Sequence, residues 1–205
     1  MKKILLTIFC SISIALSSVA QTSPAEQRDA DDEMQHELKT PAVGAKQRTY
    51  VTTYMHQVAT DLIRDSLTRN VETMRHGEVV VVTVQTDDLF QPNDTTLTRN
   101  ATNILFRFKR FLSTDNKFKL ILAVHSDDTG SEEYLSDLTE NRINAILDYY
   151  ERENCSIDNI VGFPKGASEP LYDNNSRSNR AANRRLEVYI VPDTPLIEES
   201  TAKKK

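Results

Sequence analysis

Four valines in succession, Val79-Val80-Val81-Val82, sit near the middle of a chain of 205 residues. Successive side chains of a strand point to opposite faces, so a continuous β-branched run is stable only where both faces are covered. The feature demands a sheet, and the pattern that follows supplies its partners. Glu78 to Gln85, Phe118 to Val124 and Ile157 to Gly162 read as strands. Arg185 to Val191 alternates, with Leu186, Val188 and Ile190 on one face, and reads as a final strand with its other face more exposed, ended by Pro192. Between these lie two helical patterns. Leu97, Ala101, Ile104, Leu105, Phe108 and Leu112 share one face of the first, which follows a Pro92-Asn93-Asp94 turn and takes Thr95 or Thr96 as its cap. The second runs from beyond Ser131 to about Arg152, and Lys165 to about Ala182 is a polar loop. The expected architecture is an α/β (α+β) two-layer sandwich with a β-α-β-α-β-β core and an extra N-terminal helix.

The flanks divide by composition. Lys2 and Lys3 precede an apolar run from Ile4 to Leu16, and Ser18-Val19-Ala20 offers small residues for cleavage, so residues 1–20 read as a secretory signal. Cys10 lies within the apolar run rather than at the cut, so no lipid anchor is expected, and no later segment is apolar enough to span a membrane. Residues 21–48, with Pro24, Pro41 and Gly44, form a flexible polar linker. In 49–77, Val51, Tyr54, Met55, Val58 and Leu62 recur at helical spacing and Gly77 is a plausible stop. That helix either packs on the domain or mediates association with an envelope protein partner. Residues 78–192 form the folded domain and 193–205 a disordered tail. The formal net charge of -5 makes nucleic acid a poor partner. Once the signal is removed Cys155 is the only cysteine, which excludes a disulfide within the chain and leaves a structural thiol among Glu151, Glu153 and Asp158.

The chemistry lies in two arginine settings. Leu138, Ala145, Ile146 and Tyr149 mark the core stripe of the long helix, and Arg142 projects from the same face. An arginine there needs a partner, and Asp127 or Asp128, just before the helix, are the candidates. Two readings stand level: an internal ion pair that pins the loop, or a split site with Arg142 for a ligand carboxylate and an aspartate for a ligand amine. Arg180, Arg184 and Arg185 cluster where the polar loop enters the last strand. Guanidinium forks bind carboxylates bidentately, although a solvated basic patch would give the same sequence. His125, Asp127 and Asp128 make a poor metal set, so no cofactor or metal is expected, and His125 reads as a satisfied strand-end histidine. No nucleophile–base arrangement stands out, and adjacent Asp127 and Asp128 side chains diverge, so no enzymatic activity is expected.

Taken in order, Asp127-Asp128-Thr129-Gly130-Ser131, Tyr134, Leu138-Thr139-Glu140-Asn141-Arg142, Gly162, Glu169-Pro170 and Arg180-Ala181-Ala182-Asn183-Arg184-Arg185-Leu186-Glu187-Val188 resemble the OmpA-like peptidoglycan-binding domain family, over about Val79 to Pro192. The resemblance implies a domain that holds the diaminopimelate of the peptidoglycan stem peptide without chemistry on it. It implies that Asp127 and Arg142 grip the zwitterionic end, that Arg184 and Asn93 assist, and that Thr129 and Gly130 shape the loop. It implies the periplasm of a Gram-negative bacterium, on the outer-membrane side. Three positions depart from the family pattern: Leu135 stands where an asparagine often follows the tyrosine, Asn179 replaces a glycine, and Gly162-Phe163-Pro164-Lys165-Gly166 replaces a glycine-aromatic-glycine-glutamate form. They motivate an alternative, an interaction or scaffold protein that has lost peptidoglycan and works through the 49–76 helix.

Overall fold

The computed structural model describes residues 40–64, 70–113 and 115–202. The elements are α1 (Ala45–Arg64), β1 (Asn70–Met74), β2 (Val79–Gln85), α2 (Thr86–Leu89), α3 (Arg99–Phe106), β3 (Phe118–His125), α4 (Glu132–Arg152), β4 (Ile160–Gly166), α5 (Arg177–Asn183), β5 (Arg185–Pro192) and α6 (Thr194–Ala202). The strands form one sheet in the order β1-β2-β5-β3-β4. β5 is antiparallel to both β2 and β3, whereas β3 and β4 are parallel. The parallel pair needs a crossover, which α4 provides.

One face of the sheet carries the main core. Val80, Val82, Val84, Leu120, Leu122, Val124, Leu186, Val188 and Ile190 meet buried residues of α1, α3, α4 and α6 there. The odd-numbered valines, Val79 and Val81, join Ile121 and Val191 in a second cluster on the other face. The valine run is thus buried on both sides, as its composition demands. β5 is central rather than half-exposed, and its Arg185, Glu187 and Tyr189 face carries a polar network instead of open solvent. Arg185 Nε donates to Glu187 Oε1 at 2.7 Å, and Tyr189 Oη donates to Glu187 Oε2 at 2.6 Å.

Local chemistry explains where the helices start. Ser131 caps α4 by accepting from the Tyr134 amide at 3.2 Å, and Glu132 and Glu133 in the first turn complement the helix dipole. The cap of α3 is Thr98, which accepts from the Ala101 amide at 3.0 Å. Thr95 and Thr96, the expected caps, instead donate their amides to Asp94 Oδ1 in the preceding turn. Within the stretch expected to be a polar loop, Ser176 opens the short helix α5.

Three expected boundaries are corrected. The 49–77 helix begins earlier, at Ala45, and ends by Arg64, and Asn70–Met74 is an edge strand paired with β2. Leu67, Val71 and Met74 are spaced by four and three residues, as on a helix, although they fall on a different face from the stripe that ends at Leu62, so spacing alone carries the pattern too far. Gly77, at φ +87°, serves the turn between β1 and β2 rather than a helix end. Val51, Met55, Val58, Ala59 and Leu62 are all buried in the main core, so the stripe offered as an association surface is spent on the domain itself. The expected linker also enters the fold near its end. Val43 joins the core, and Thr40 is buried and accepts from Arg75 Nη1 at 3.3 Å. The expected disordered tail contains α6, whose Leu196 and Ile197 pack into the core, while Lys117 bridges to Glu199 at 2.7 Å. The signal segment 1–20 and the linker to residue 39 lie outside the described residues.

Gly162 places β4 directly under α4. A β-carbon there would overlap the Ile143 side chain. Gly162→Ala is expected to destabilise the domain by about 1–3 kcal/mol through overpacking, read as a lower urea midpoint. An unchanged midpoint would show that α4 can move off the sheet at little cost.

Candidate functional site

The site forms at the end of the sheet where the interior strands β2 and β3 finish and β5 begins. β3 leads through His125 and Ser126 to Asp127, β2 leads into α2 with Asp87, and Arg184 immediately precedes β5. The Thr86 amide donates to the Arg184 carbonyl at 3.0 Å, which fixes these termini side by side.

Arg184 lies between two carboxylates. Its Nη1 donates to Asp127 Oδ2 at 2.7 Å, while Nε and Nη2 donate to Asp87 Oδ1 and Oδ2 at 3.0 and 2.7 Å. The second contact is a bidentate fork. These carboxylates hold the Arg184 guanidinium well above its ordinary value, Asp87 contributing most. Asp127 is 5% exposed. Its other oxygen, Oδ1, accepts from the Thr129 amide at 2.9 Å. Burial works to raise the Asp127 carboxyl, but the bonds from Arg184 and Thr129 outweigh it and hold the group below the usual carboxylate range.

Arg142 is only 3% exposed. Its partner is neither Asp127 nor Asp128, so of the two level readings the internal ion pair with either aspartate is not formed. Nε donates to the Asp94 carbonyl at 3.1 Å, and the guanidinium carbon lies 5.0 Å from the centre of the Phe90 ring. Nη1 is buried and has no hydrogen-bond partner among the described residues. Burial lowers the Arg142 guanidinium below its ordinary value, and Asp87 is the strongest of the charges that counter this. A buried guanidinium with a spare N–H is an energetic deficit that a carboxylate would relieve.

The remaining expected residues frame this pair. Asn93 is exposed at φ +53°, in the turn whose next residue, Asp94, receives Arg142. Thr129 supplies the amide to Asp127. Gly130 is at φ +148°, and a β-carbon there would meet the Tyr134 ring at 2.9 Å. The arginine cluster separates by role. Arg180 Nη1 holds the Asn174 carbonyl at 2.7 Å, and Arg185 reaches the Glu169 carbonyl at 3.3 Å, so both fasten the 167–176 loop. Only Arg184 faces the aspartates. Asn183, fully buried, pins the same loop through the backbone of Tyr172. Asp87 and Phe90 were missed by sequence reasoning. Asp87 carries no local pattern that marks it, and Phe90 lies outside the periodic apolar faces that mark the core.

On the opposite face, His125 is buried with neither ring nitrogen hydrogen-bonded among the described residues. Its Nε2 lies 3.6 Å from Glu187 Oε2, so it is not the satisfied histidine that its position suggests. Burial lowers its affinity for a proton below the ordinary histidine value. Among the described residues, no group of three or more His, Cys, Asp and Glu side chains is arranged to hold a metal ion. No described helix is long and apolar enough to cross a membrane.

Residues 89–184 match the OmpA family. The chain is 32% identical over 102 residues to the outer-membrane lipoprotein YfiB of Pseudomonas aeruginosa, covering 50% of this chain and 61% of that protein. It is 30% identical over 114 residues to outer membrane porin F of the same organism, covering 54% of this chain and 32% of that protein. The chain thus spans less than two thirds of the length of either curated relative. Among solved structures, a MotB-like protein from Desulfovibrio vulgaris superposes with a TM-score of 0.61 at 19% identity, covering 71% of this chain and 98% of that one. The cell wall anchor of the type VI secretion system from Pseudomonas aeruginosa superposes with a TM-score of 0.55 at 22% identity, covering 68% and 97%. These two share the fold.

Arg184→Ala would leave the buried Asp127 carboxylate without its guanidinium, at an expected cost of about 1–3 kcal/mol near neutral pH. The pairing lowers the folded carboxyl relative to the unfolded value of about 3.9, so its contribution is complete above that pH and is lost as pH falls through the lower folded value. The stability gap between wild type and variant, from urea unfolding, is expected to narrow between neutral pH and about pH 2.5. A gap independent of pH would contradict the assignment of the pairing to Asp127.

Proposed function

We propose that this chain, which carries an OmpA-like domain, binds peptidoglycan non-covalently in the periplasm, on the outer-membrane side, and links envelope components to the cell wall. The ligand group is the free end of diaminopimelate in the stem peptide. That end bears an ammonium and a carboxylate on one carbon, so it needs an anion and a cation at a fixed separation. The observation that carries the reading is the buried Nη1 of Arg142, which has no hydrogen-bond partner among the described residues, on a guanidinium upon which Asp87 and Asp94 act favourably. The stem carboxylate takes that N–H, and the ammonium turns to Asp127 and its neighbours. Asn93 lies beside the Arg142 end, while Thr129 and Gly130 set the loop that presents Asp127. The name of one structural relative points the same way, the type VI protein being described as a cell wall anchor.

The proposed role is non-catalytic: among the described residues Arg184 is held as a positioning partner by Asp87 and Asp127, and Arg142 offers a binding contact. The rival reading, a scaffold working through the N-terminal helix, would have to use the polar side of α1, because its apolar stripe is buried. Leu135 is likewise buried, so at that position the domain contributes packing rather than a ligand contact.

The test is co-sedimentation of the purified protein with diaminopimelate-type sacculi, beside Asp127→Ala and Arg142→Ala variants whose folding is verified by circular dichroism. Wild type is expected to sediment, and each folded variant to bind about tenfold or more weakly, the scale of one lost charge-assisted contact. Binding equal in all three would overturn the site. Release of soluble muropeptides above a buffer control would overturn the non-catalytic role.

A further inference from the structure

Asp127 does not by itself offer a net negative charge. Its carboxylate is matched by the Arg184 guanidinium at 2.7 Å, and its second oxygen is taken up by the Thr129 amide. A neutral ion pair is a poor host for an ammonium, because the cation on its far side cancels most of the attraction. Asp94, the other carboxylate acting on Arg142, is tied by its Oδ1 to the amides of Thr95 and Thr96 in its own turn and shares no guanidinium with Asp127. What unbalances the cluster is Asp87. It takes the bidentate Nε/Nη2 edge of the same guanidinium, so one positive charge is shared between two carboxylates. The triad carries an excess of one negative charge. Asp87 also acts favourably on the buried Arg142 guanidinium.

We infer that Asp87 is a specificity-determining residue, which supplies the net negative pole that receives the ligand ammonium and masks the Arg184 fork from the ligand carboxylate. This rests on the binding reading above and deepens it. The site then has two poles of opposite sign, the Asp87–Arg184–Asp127 triad and Arg142, and Arg142 is the cation left to read a carboxylate. The side chain of Asp87 is 58% exposed, so its bond to Arg184 contributes little to stability and is free to act in recognition. Removing its charge does two things at once. It neutralises the triad, and it uncovers a guanidinium edge suited to a carboxylate.

The test uses three synthetic stem tripeptides that differ only in the third residue. Diaminopimelate ends in both ammonium and carboxylate, 2-aminopimelate in the carboxylate alone, and lysine in the ammonium alone. Affinities are measured by calorimetry on the purified wild type, Asp87→Asn and Asp87→Glu. Wild type is expected to favour diaminopimelate over each of the others. In Asp87→Asn the preference for diaminopimelate over 2-aminopimelate is expected to fall by about tenfold, the scale of one charge-assisted contact, while 2-aminopimelate itself binds at least as well as to wild type. Asp87→Glu is expected to restore the preference. An equal loss for all three ligands would make Asp87 a merely structural residue and overturn the inference, as would an Asp87→Asn variant that keeps the wild-type preference. If wild type binds none of the three, the binding reading itself falls and this inference with it. If wild type binds and discriminates but Asp87→Asn does so equally, only the inference falls.

Discussion

The site depends on where β5 enters the sheet. Because β5 runs antiparallel to both neighbours, its first residues lie beside the ends of β2 and β3, as the Gln85–Arg185 and Val124–Leu186 pairs show. Arg184 is therefore carried to Asp87 after β2 and to Asp127 after β3, across 97 and 57 residues of chain respectively. A strand at the sheet edge would reach at most one of the two. The apolar alternation of Leu186, Val188 and Ile190 fixes that register, since a slip by one residue would turn Arg185 and Glu187 into the helix-packed core.

Arg142 is the second constraint. The helix that carries it spends its neighbouring positions on the core, including Leu138, Ile143 and Ile146. Burying a guanidinium costs several kcal/mol unless its donors are met. The Phe90 ring and the Asp94 carbonyl meet part of that cost, and both come from the segment that follows β2. The same segment supplies Asp87. One short connection thus supports both arginines, and the deficit that remains at Nη1 is the opening for a ligand. On the other side of the sheet, Arg185, Glu187 and Tyr189 satisfy one another and secure the start of β5 from behind.

Much of this was legible in the sequence, for physical reasons that can be named. The valine run required a sheet covered on both faces, and the spacing of Arg142 within an apolar stripe marked it as a buried cation before any partner was known. The partner itself was not legible. Proximity in sequence favoured Asp127 or Asp128, whereas the contacts of Arg142 come from residues some fifty positions earlier. Arg180, Arg184 and Arg185 are alike as letters, and only the turn between α5 and β5 decides which of them faces the aspartates. Asp87 was invisible because its meaning lies in a pairing that sequence separation hides. The N-terminal stripe misled in the other direction. Leu67, Val71 and Met74 keep helical spacing although Val71 and Met74 belong to a strand, since pairing with β2 overrides local periodicity.

The most direct test of the central claim observes the Arg142 guanidinium itself. In a sample labelled with nitrogen-15 at arginine, side-chain resonances are followed while a diaminopimelate stem tripeptide is titrated in. With the label extended uniformly to all nitrogens, the account predicts a saturable shift of the Arg142 Nη and Nε signals together with the Thr129 amide, while the loop-fastening Arg180 and Arg185 stay still. Saturable shifts confined to α1, or no shift at Arg142 while the ligand binds, would contradict it.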